Sequence, residues 1–530
     1  MLKSIRYIIV LIFVLLASCA KRGTITGGLK DTIPPIMTSS FPKNYSKNFT
    51  GNVIKLNFDE YVKLKNVNKQ LIVSPPMKRQ LDILPYTASK EITIKIKDTL
   101  LPNTTYSFNF GSSIEDNNEA NKLQQFKYVF STGNYIDSLQ LNTKVKDAID
   151  KKVANFVSVM LYDATENYTD SIVYKSVPKY LTSTLDSLKF IKFENLKQGK
   201  YKLIALKDAN GNNKFDPKTD KIGFQKDFIT IPNDTVYEIE LFKEELPFKG
   251  LKVSQASGSK MILGFEGSSK DVKISVKTKE AEAPFVITQF PKKDSLNIWF
   301  KANKGDSLFV NVEKNKFKKQ FALKLKDQKK DTLSFSTEFT SDLPLRDQFA
   351  IIGSVPLSKF DVSKMKLVNK DAVDVKFTTS YDESNQKLKF IFDKEPLEKY
   401  VLKVFPKAIT DFYGRINDTL NYKFSTSNSS DYGNLRIKLT NVKRFPVIVE
   451  LTDKEGKIIA SQYSEKETDV SFDLIDPALF TLRLIYDDNK NRVWDTGNYI
   501  EQRQAEEVIY YPKEIDVRAN WDVEQVFDLK

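Results

Sequence analysis

A two-residue alternation of apolar and polar side chains runs through almost the whole 530-residue chain and sets narrow limits on its fold. Short runs rich in Val, Ile, Phe, Tyr and Thr are separated about every ten residues by Asn, Asp, Gly and Pro. Residues 92–97 read Ile-Thr-Ile-Lys-Ile-Lys, which is typical of a strand with one buried and one solvated face. Few segments keep a helical period over three turns, which argues against parallel α/β folds. The sequence therefore predicts an all-β protein of tandem Ig-like or other β-sandwich domains.

The N-terminus has the features of an export signal. Lys3 and Arg6 precede an unbroken apolar run at 7–16, which is too short to span a bilayer. The run ends in Leu-Ala-Ser-Cys at 16–19, which resembles the lipobox of bacterial lipoproteins, where the cysteine receives acyl chains after cleavage. Cys19 is the only cysteine in the chain and can form no internal disulfide. We expect residues 1–18 to be a signal peptide and Cys19 to carry a lipid such as palmitate; an ordinary secretory signal with a chance cysteine is the alternative.

Composition bears on chemistry. Histidine is absent, which removes Ser-His-Asp and Cys-His arrangements and the usual zinc ligand sets. The acidic pairs 59/60, 244/245 and 506/507 are sequence neighbours, whose side chains point to opposite faces of a strand, so we interpret them as solvated strand ends. The sequence therefore predicts a protein that is not an enzyme.

The net charge of +14 has a structural interpretation. Most lysines alternate with apolar residues, as expected for the solvated face of a strand. We therefore predict no nucleic-acid partner, and a basic surface that lies near anionic lipid or lipopolysaccharide.

One pattern occurs twice, in residues 91–132 and 386–426. The matched features are a Pro-containing turn before a tyrosine (Tyr106 and Tyr400), an Ile-x-Asp segment (Asp116 and Asp411) and a closing Phe-Ser-Thr (130–132 and 424–426). Together with the strand at 53–61, this order resembles the bacterial Ig-like domain of surface-layer proteins. The opening segment 19–35 resembles the start of Bacteroidetes outer-membrane lipoproteins with such domains. The resemblance implies Ig-like sandwiches and an envelope location, and no reaction.

A second pattern is interleaved with the first. Residues 193–216 match residues 472–495 at a constant offset, and each copy reads as a strand, an Asx-rich loop and an aromatic-Asp pair. We therefore predict a signal peptide (1–18), a lipidated tether (19–35), an Ig-like first domain (36–134), a second domain with an Asx-rich loop (135–245), a third β-sandwich domain (246–337), an Ig-like fourth domain (338–428) and a fifth domain with an Asx-rich loop (432–530).

The two Asx-rich loops are the candidate metal sites. Their oxygen-bearing side chains, spaced two residues apart as in calcium loops, are Asp208, Asn210, Asn212 and Asp216 in the first copy and Asp487, Asn489, Asn491 and Asp495 in the second. The loops depart from an EF-hand, because Asn213 and Arg492 occupy the glycine position and Thr219 and Asn498 the glutamate position. The alternative is a structural turn in which Asp and Asn bond their own backbone, with Phe215 and Trp494 holding the loop to the core. Calcium is thus the one cofactor that the sequence suggests.

These features favour a lipid-anchored scaffold or interaction protein of the envelope, as an accessory of outer-membrane protein assembly or surface organisation. Its expected partners are the membrane, through the N-terminal lipid, and other envelope proteins. The alternative is a glycan-binding lipoprotein of a nutrient-uptake system. Ala20 and Lys21 follow the cysteine with no aspartate, which favours the outer membrane and leaves open whether the protein faces the periplasm or the cell surface.

Overall fold

The computed structural model describes residues 31–530, except residues 167, 186–189, 280, 291–293 and 304. The predicted signal peptide, Cys19 and most of the predicted tether lie outside the described residues. The regular secondary structure of the described chain is almost entirely strand, arranged in many small sheets, which confirms the predicted tandem β-sandwich fold. Nowhere in this part of the chain is there a helix long and apolar enough to cross a membrane.

Two compact units make up the chain. The first contains the residues up to Gln140 together with Lys179–Leu185 and Glu194–Lys197, and the second contains the rest. The segment predicted as the second domain therefore contributes three short stretches to the first unit, residues 135–140, 179–185 and 194–197. Within that unit the Asn195 amide donates to the Asp137 carbonyl over 2.9 Å.

The first domain forms two facing sheets. Its elements are β1 (Met37–Phe41), β2 (Val53–Leu64), α1 (Val67–Gln70), β3 (Ile72–Ser74), β4 (Asp82–Leu84), β5 (Ser89–Lys95), β6 (Thr105–Asn109), β7 (Ile114–Asp116), β8 (Lys122–Leu123) and β9 (Lys127–Ser131). Strand β2 pairs with β1, β5 and β7 in one sheet, and β3, β6 and β9 form the other. Alternate residues of β2, such as Ile54 and Leu56, are fully buried in the core between the sheets.

The second domain segment carries β10 (Leu139–Asp147), β11 (Ser158–Asp163), α2 (Ile172–Lys175), β12 (Tyr180–Ser183), β13 (Phe190–Leu196), β14 (Gly199–Lys207), β15 (Lys221–Phe224), β16 (Ile229–Ile231) and β17 (Val236–Leu241). Strand β10 lies between β13 and β17, and its pairing with β17 is parallel. Strand β14 pairs with β11, β15 and β16 in a second sheet.

The third domain contains β18 (Lys249–Gln255), β19 (Lys260–Glu266), β20 (Lys273–Lys277), β21 (Phe285–Gln289), β22 (Ser295–Phe300), β23 (Ser307–Lys314) and β24 (Phe317–Lys324). One sheet has the order β18-β19-β22-β21 and the other β20-β23-β24. The alternating pattern of β23 places Leu308, Val310 and Val312 in the core between them.

The fourth domain contains β25 (Phe335–Thr337), β26 (Asp342–Leu343), β27 (Phe349–Gly353), β28 (Leu357–Phe360), the 3₁₀ turn η1 (Val362–Lys364), β29 (Met365–Val368), β30 (Thr378–Asp382), β31 (Lys387–Ile391), β32 (Lys399–Val404), β33 (Ile409–Asp411) and β34 (Leu420–Thr426). Its two main sheets have the orders β25-β27-β31-β30 and β26-β34-β32-β29.

The fifth domain contains η2 (Ser429–Asp431), β35 (Gly433–Thr440), β36 (Val447–Thr452), β37 (Ile458–Ser464), β38 (Asp469–Ile475), β39 (Ala478–Tyr486), β40 (Val508–Val517) and β41 (Asp522–Asp528). Strand β35 lies between β38 and β41, and its pairing with β41 is parallel. Strand β10 has the same position between β13 and β17, with β17 as its parallel neighbour. The repeat seen in the sequence thus corresponds to a repeated sheet topology.

The first repeat also has matched hydrogen bonds. The Tyr106 hydroxyl accepts a bond from the backbone N–H of Leu101, and the Tyr400 hydroxyl accepts one from Glu395. The threonine that closes each copy bonds the same turn, over 2.7 Å to the Leu101 carbonyl and 2.5 Å to the Glu395 carbonyl. In each copy the tyrosine and the closing threonine therefore bond to the same residue of the turn, through its N–H and its carbonyl, and together they hold the turn in place.

The Ile-x-Asp motif fixes the turn that follows it. Asp116 accepts backbone N–H bonds from Glu119, Ala120 and Asn121, and Asp411 accepts them from Tyr413 and Arg415. Both carboxylates are buried. Burial raises the pKa of Asp116, but the backbone N–H bonds that it accepts outweigh this and leave the pKa below its usual value.

Candidate functional site

The two Asx-rich loops occupy matching places in the second and fifth domains. The first loop follows β14 and leads into β15, and the second follows β39 and leads towards β40. Each begins with an aspartate, Asp208 or Asp487, directly after a strand that is buried along most of its length. The loops are thus held at the ends of rigid central strands.

Backbone N–H groups surround the first aspartate of each loop. The two Asp208 carboxylate oxygens accept bonds from Asn210, Gly211 and Asn213, at 3.0, 2.7 and 2.6 Å. Asp487 accepts bonds from Asn491 and Arg492, at 3.1 and 2.8 Å. In each loop the backbone thus wraps around the first aspartate and hydrogen-bonds to its carboxylate. The structural-turn interpretation requires this arrangement.

The backbone is left-handed where an EF-hand has glycine. Asn213 has φ of 56° and Arg492 has φ of 67°. Asparagine adopts this region at modest cost, whereas a left-handed arginine is uncommon. Both loops thus make the sharp turn of a calcium loop without the glycine.

The predicted ligand side chains converge in the second loop. The Asn489 and Asn491 amides both donate to Asp495 Oδ2, over 2.7 and 2.6 Å. In the first loop the corresponding amides point to different partners, because Asn210 donates to Thr219 Oγ1 over 3.4 Å and the Asn212 side chain accepts from Lys214. The structure therefore brings together the side chains of Asn489, Asn491 and Asp495, three of the four predicted ligands of the second loop, through amide N–H bonds.

A second carboxylate fastens each loop. Asp220 accepts the backbone N–H groups of Ala209 and Asp216, at 3.0 and 2.8 Å. Glu506 accepts those of Asp488 and Asp495, both at 2.9 Å. These acceptors are equivalent in structure but not in sequence spacing, because the second loop is longer, so the constant offset of the repeat could not reveal Glu506.

The interpretation of Glu506 as a solvated strand end is therefore wrong. Its side chain is buried, because Trp494 and the loop cover it, and the Trp494 indole N–H donates to its carbonyl over 3.1 Å. Burial raises the pKa of the Glu506 carboxyl, and the nearby charges of Asp495 and Asp487 add to this, against the two backbone N–H bonds.

Among the described residues, no three His, Cys, Asp or Glu side chains cluster in a way that could hold a metal ion. A cation in either loop would depend on two aspartates, asparagine oxygens and carbonyls. Cation binding by Asp208, Asn210, Asn212 and Asp216, or by Asp487, Asn489, Asn491 and Asp495, stays a prediction.

We expect millimolar calcium to leave the thermal unfolding midpoint unchanged, because backbone N–H groups already satisfy the first carboxylate of each loop. Replacement of Asp487 by alanine should lower stability by about 1–3 kcal/mol, with or without calcium, since it leaves buried donors without an acceptor. Thermal melts with calcium and with a chelator measure both effects. A calcium-dependent rise in the midpoint that Asp495→Asn abolishes would instead establish a cation site.

The second loop has a further role within the larger unit, where it fastens the fifth domain to the second. The backbone N–H of Tyr499 donates to Glu244 Oε1 over 2.6 Å, and Thr496 Oγ1 donates to the Lys243 carbonyl over 2.6 Å. Past the loop, the Gln504 amide donates to the Phe224 carbonyl over 2.9 Å. The two copies of the loop-bearing domain, far apart in sequence, therefore pack against each other.

Tyr499 is the centre of this contact. Its side chain is fully buried, its ring lies 5.2 Å from that of Phe224, and its hydroxyl is 3.0 Å from the Tyr168 hydroxyl. Burial raises its pKa, as does the hydrogen bond to Tyr168, so the hydroxyl stays protonated at physiological pH. Gly497 is required beside it, because a Cβ there would lie 2.6 Å from the Phe242 ring.

A buried lysine completes the polar part of the contact. Lys202 Nζ donates to the Lys226 carbonyl over 2.8 Å and to Gln502 Oε1 over 3.0 Å. Burial lowers its pKa, and the charges of Asp170 and Asp227 oppose that shift. Lys202 is buried, unlike most lysines of the chain, and the fifth domain contacts it through Gln502.

A family model described as a bacterial Ig-like domain matches residues 31–132. No curated protein matches the chain. Similar solved structures include the major pilin subunit of Bacillus cereus (12% identity, 74% of this chain and 99% of that chain, TM-score 0.14). They also include the surface-layer protein SbsC, domains 1–6 (10% identity, 91% and 67%, TM-score 0.14), and a chimeric titin tandem (14% identity, 34% and 99%, TM-score 0.13). The family match supports the predicted Ig-like domains, and it falls on the first of them.

Proposed function

We propose that this chain is a non-enzymatic, lipid-anchored protein of the bacterial outer membrane that acts through contacts with other envelope proteins. One observation carries the proposal: the second Asx-rich loop, the strongest candidate for a binding site in the sequence, bonds the fifth domain to the second domain instead of lining a cleft. The bacterial Ig-like match and the absence of histidine support the same proposal. An accessory role in outer-membrane protein assembly or surface organisation fits such a body.

The fifth domain has an open strand edge at which a partner protein can bind. Strand β37 lies at the end of its sheet, and β36 is its only pairing partner among the described strands. Ile458 and Ile459 on this edge are 49% and 40% exposed. An open edge with apolar side chains can receive a strand from a partner by β-augmentation.

Affinity purification of the tagged full chain from its native membranes, followed by mass spectrometry, tests the proposal. We expect envelope proteins to copurify, and to be lost from the double variant Ile458→Lys, Ile459→Lys, because charge on the edge opposes strand addition. Val362→Lys, at an exposed apolar position of the fourth domain, is the matched control. Recovery of the chain alone, or specific binding on a glycan array, would contradict the proposal.

The anchor has its own test. We expect radiolabelled palmitate to enter the chain, and the Cys19→Ala form to be released from membranes by a high-salt wash that leaves the acylated protein bound, because charge-based contacts are screened by salt and a lipid anchor is not. A Cys19→Ala form that is still acylated would contradict the proposed anchor.

A further inference from the structure

Positive charge is concentrated in the third domain. Residues 246–337 contain nineteen lysines, no arginine and nine acidic residues, a formal charge of +10 in a chain whose total is +14. The fifth domain, residues 432–530, has fourteen basic and nineteen acidic residues. The third domain therefore carries the largest positive charge of the five predicted domains.

Four of these lysines lie on one face of the β20-β23-β24 sheet. Because Leu308, Val310 and Val312 of β23 point into the core, their neighbours in the strand point outward. The strand register places Lys273 and Lys318 on either side of Glu313, Lys277 beside Phe309, and Lys324 beside Ser307. We call Lys273, Lys277, Lys318 and Lys324 the lysine face. It extends about 20 Å along β24, at roughly 3.3 Å per residue.

The lysine face is the open side of the domain. The opposite sheet is contacted by the fourth domain, where the Tyr413 hydroxyl donates to the Ser259 carbonyl over 2.8 Å, and five of the six residues of β22 in that sheet are buried. All four lysines of the lysine face are exposed. Between them Gln320, Asn311 and Ser275 form a ladder of amide and hydroxyl hydrogen bonds, and the half-buried Phe309 and the exposed Ala322 complete the face.

Little of this charge is neutralised. Lys318 pairs with Glu313 at 2.8 Å and Lys277 with Glu282 at 3.4 Å, and both pairs are largely exposed. In the part of the chain that the structure describes, Lys273 and Lys324 have no carboxylate within ion-pair distance. Exposed pairs are weak and screened by solvent, so all four lysines still contribute to the local potential.

The residue types indicate the kind of partner. Protein interfaces are enriched in arginine and aromatic residues and depleted in lysine, and single-stranded nucleic acids stack on exposed aromatic rings. No exposed aromatic side chain occurs among the described residues of the third domain. Lysine ammonium groups are compact, hydrated charges that need no specific geometry of their partner. Several of them on one face are suited to a surface with distributed negative charge, such as a bilayer with anionic headgroups.

We propose that the lysine face of the third domain docks onto the anionic phospholipid headgroups of a membrane surface. This contact goes beyond the proposed function and does not need a lipid on Cys19. It would hold the third domain against a bilayer by charge alone, so that it weakens steeply as salt increases.

Vesicle cosedimentation tests the proposal with the chain from Ala20 to Lys530, which retains every described residue and lacks the acylated cysteine. We expect binding to phosphatidylcholine vesicles that contain phosphatidylglycerol, and not to pure phosphatidylcholine, with loss at high salt. Replacement of all four lysines of the lysine face by glutamate should weaken binding by at least roughly 600-fold, from about fivefold for each lysine removed. Glu313→Gln, which removes the acid within the face, should strengthen it.

The matched control replaces Lys359, Lys366, Lys403 and Lys423, four exposed lysines of the fourth domain, by glutamate and should leave most of the binding. Circular dichroism and Trp299 fluorescence check that the variants fold. Equal loss in the control, or no preference for anionic vesicles, overturns the proposal. Tighter binding of single-stranded DNA than of vesicles at the same salt overturns the assignment to lipid.

Discussion

Replacing Arg483 with methionine should destabilise the fifth domain by about 3–5 kcal/mol, the cost of leaving a buried charge without its partner. Arg483 on β39 lies directly opposite Glu450 on β36, and its Nε and Nη2 both lie 2.7 Å from Glu450 Oε2. Both side chains are less than a tenth exposed. Arg483 Nη1 also donates to the Ile149 carbonyl of the second domain over 3.3 Å, so the same change weakens the contact between the domains.

The measurement is urea unfolding followed by tryptophan fluorescence, because two of the three tryptophans, Trp494 and Trp521, belong to the fifth domain. Lys443→Met is the matched control. It removes a lysine whose ion pair with Glu507 is about half exposed, and it should cost less than about 1 kcal/mol.

A double variant with methionine at both Glu450 and Arg483 separates the pair from its surroundings. It should recover much of the lost stability, since no unpaired charge stays buried. If Arg483→Met costs no more than Lys443→Met, the pair is not desolvated as the structure indicates.

Replacing Tyr499 with alanine should cost about 3–5 kcal/mol, as expected when a fully buried aromatic side chain is truncated. The loss falls on the contact between the second and fifth domains, because the ring packs on Phe224 and the hydroxyl meets Tyr168. Tyr499→Phe should cost about 1–2 kcal/mol, since it removes the hydroxyl and leaves the ring. The difference between the two variants separates packing from hydrogen bonding.

Hydrogen exchange gives the distinguishing measurement for Tyr499. In Tyr499→Ala, amides of 496–504 and of 222–224 should exchange faster, while those of β36 and β39 stay protected by their own sheet. Uniform deprotection of the whole fifth domain would contradict an effect at the contact and point to a general loss of folding. Ile459→Lys, on the exposed edge strand, serves as a control outside the contact.

The elements that were predictable from sequence are those with local signals. The alternation in β2 and β23 indicated half-buried strands, and the structure contains them. The repeated tyrosine, aspartate and threonine were visible as spacing, and the structure adds that Tyr106 and Tyr400 accept the same hydrogen bond. Local patterns suffice here because a strand's period and a turn's side-chain acceptor involve residues close in the chain.

Other features depended on the domain packing. All six residues of β36 are buried, including Glu450, because the second face of its sheet is covered as well. The short apolar runs 203–206 in β14 and 484–486 in β39 are a sequence signal for segments buried on both faces, and they could have indicated a covering partner. They could not have identified it, since the loops and strands that meet are separated by more than two hundred residues.

The chain's two-residue period and its repeats were sufficient to determine an all-β series of sandwiches, because strand formation depends on neighbouring side chains. The tertiary structure alone decided that Glu506 is a loop fastener, that Lys202 and Arg483 are buried, and that Tyr499 joins two domains. Whether a strand face is buried depends on what covers it. The cover is set by contacts between distant parts of the chain, and a local sequence pattern contains no information about those contacts.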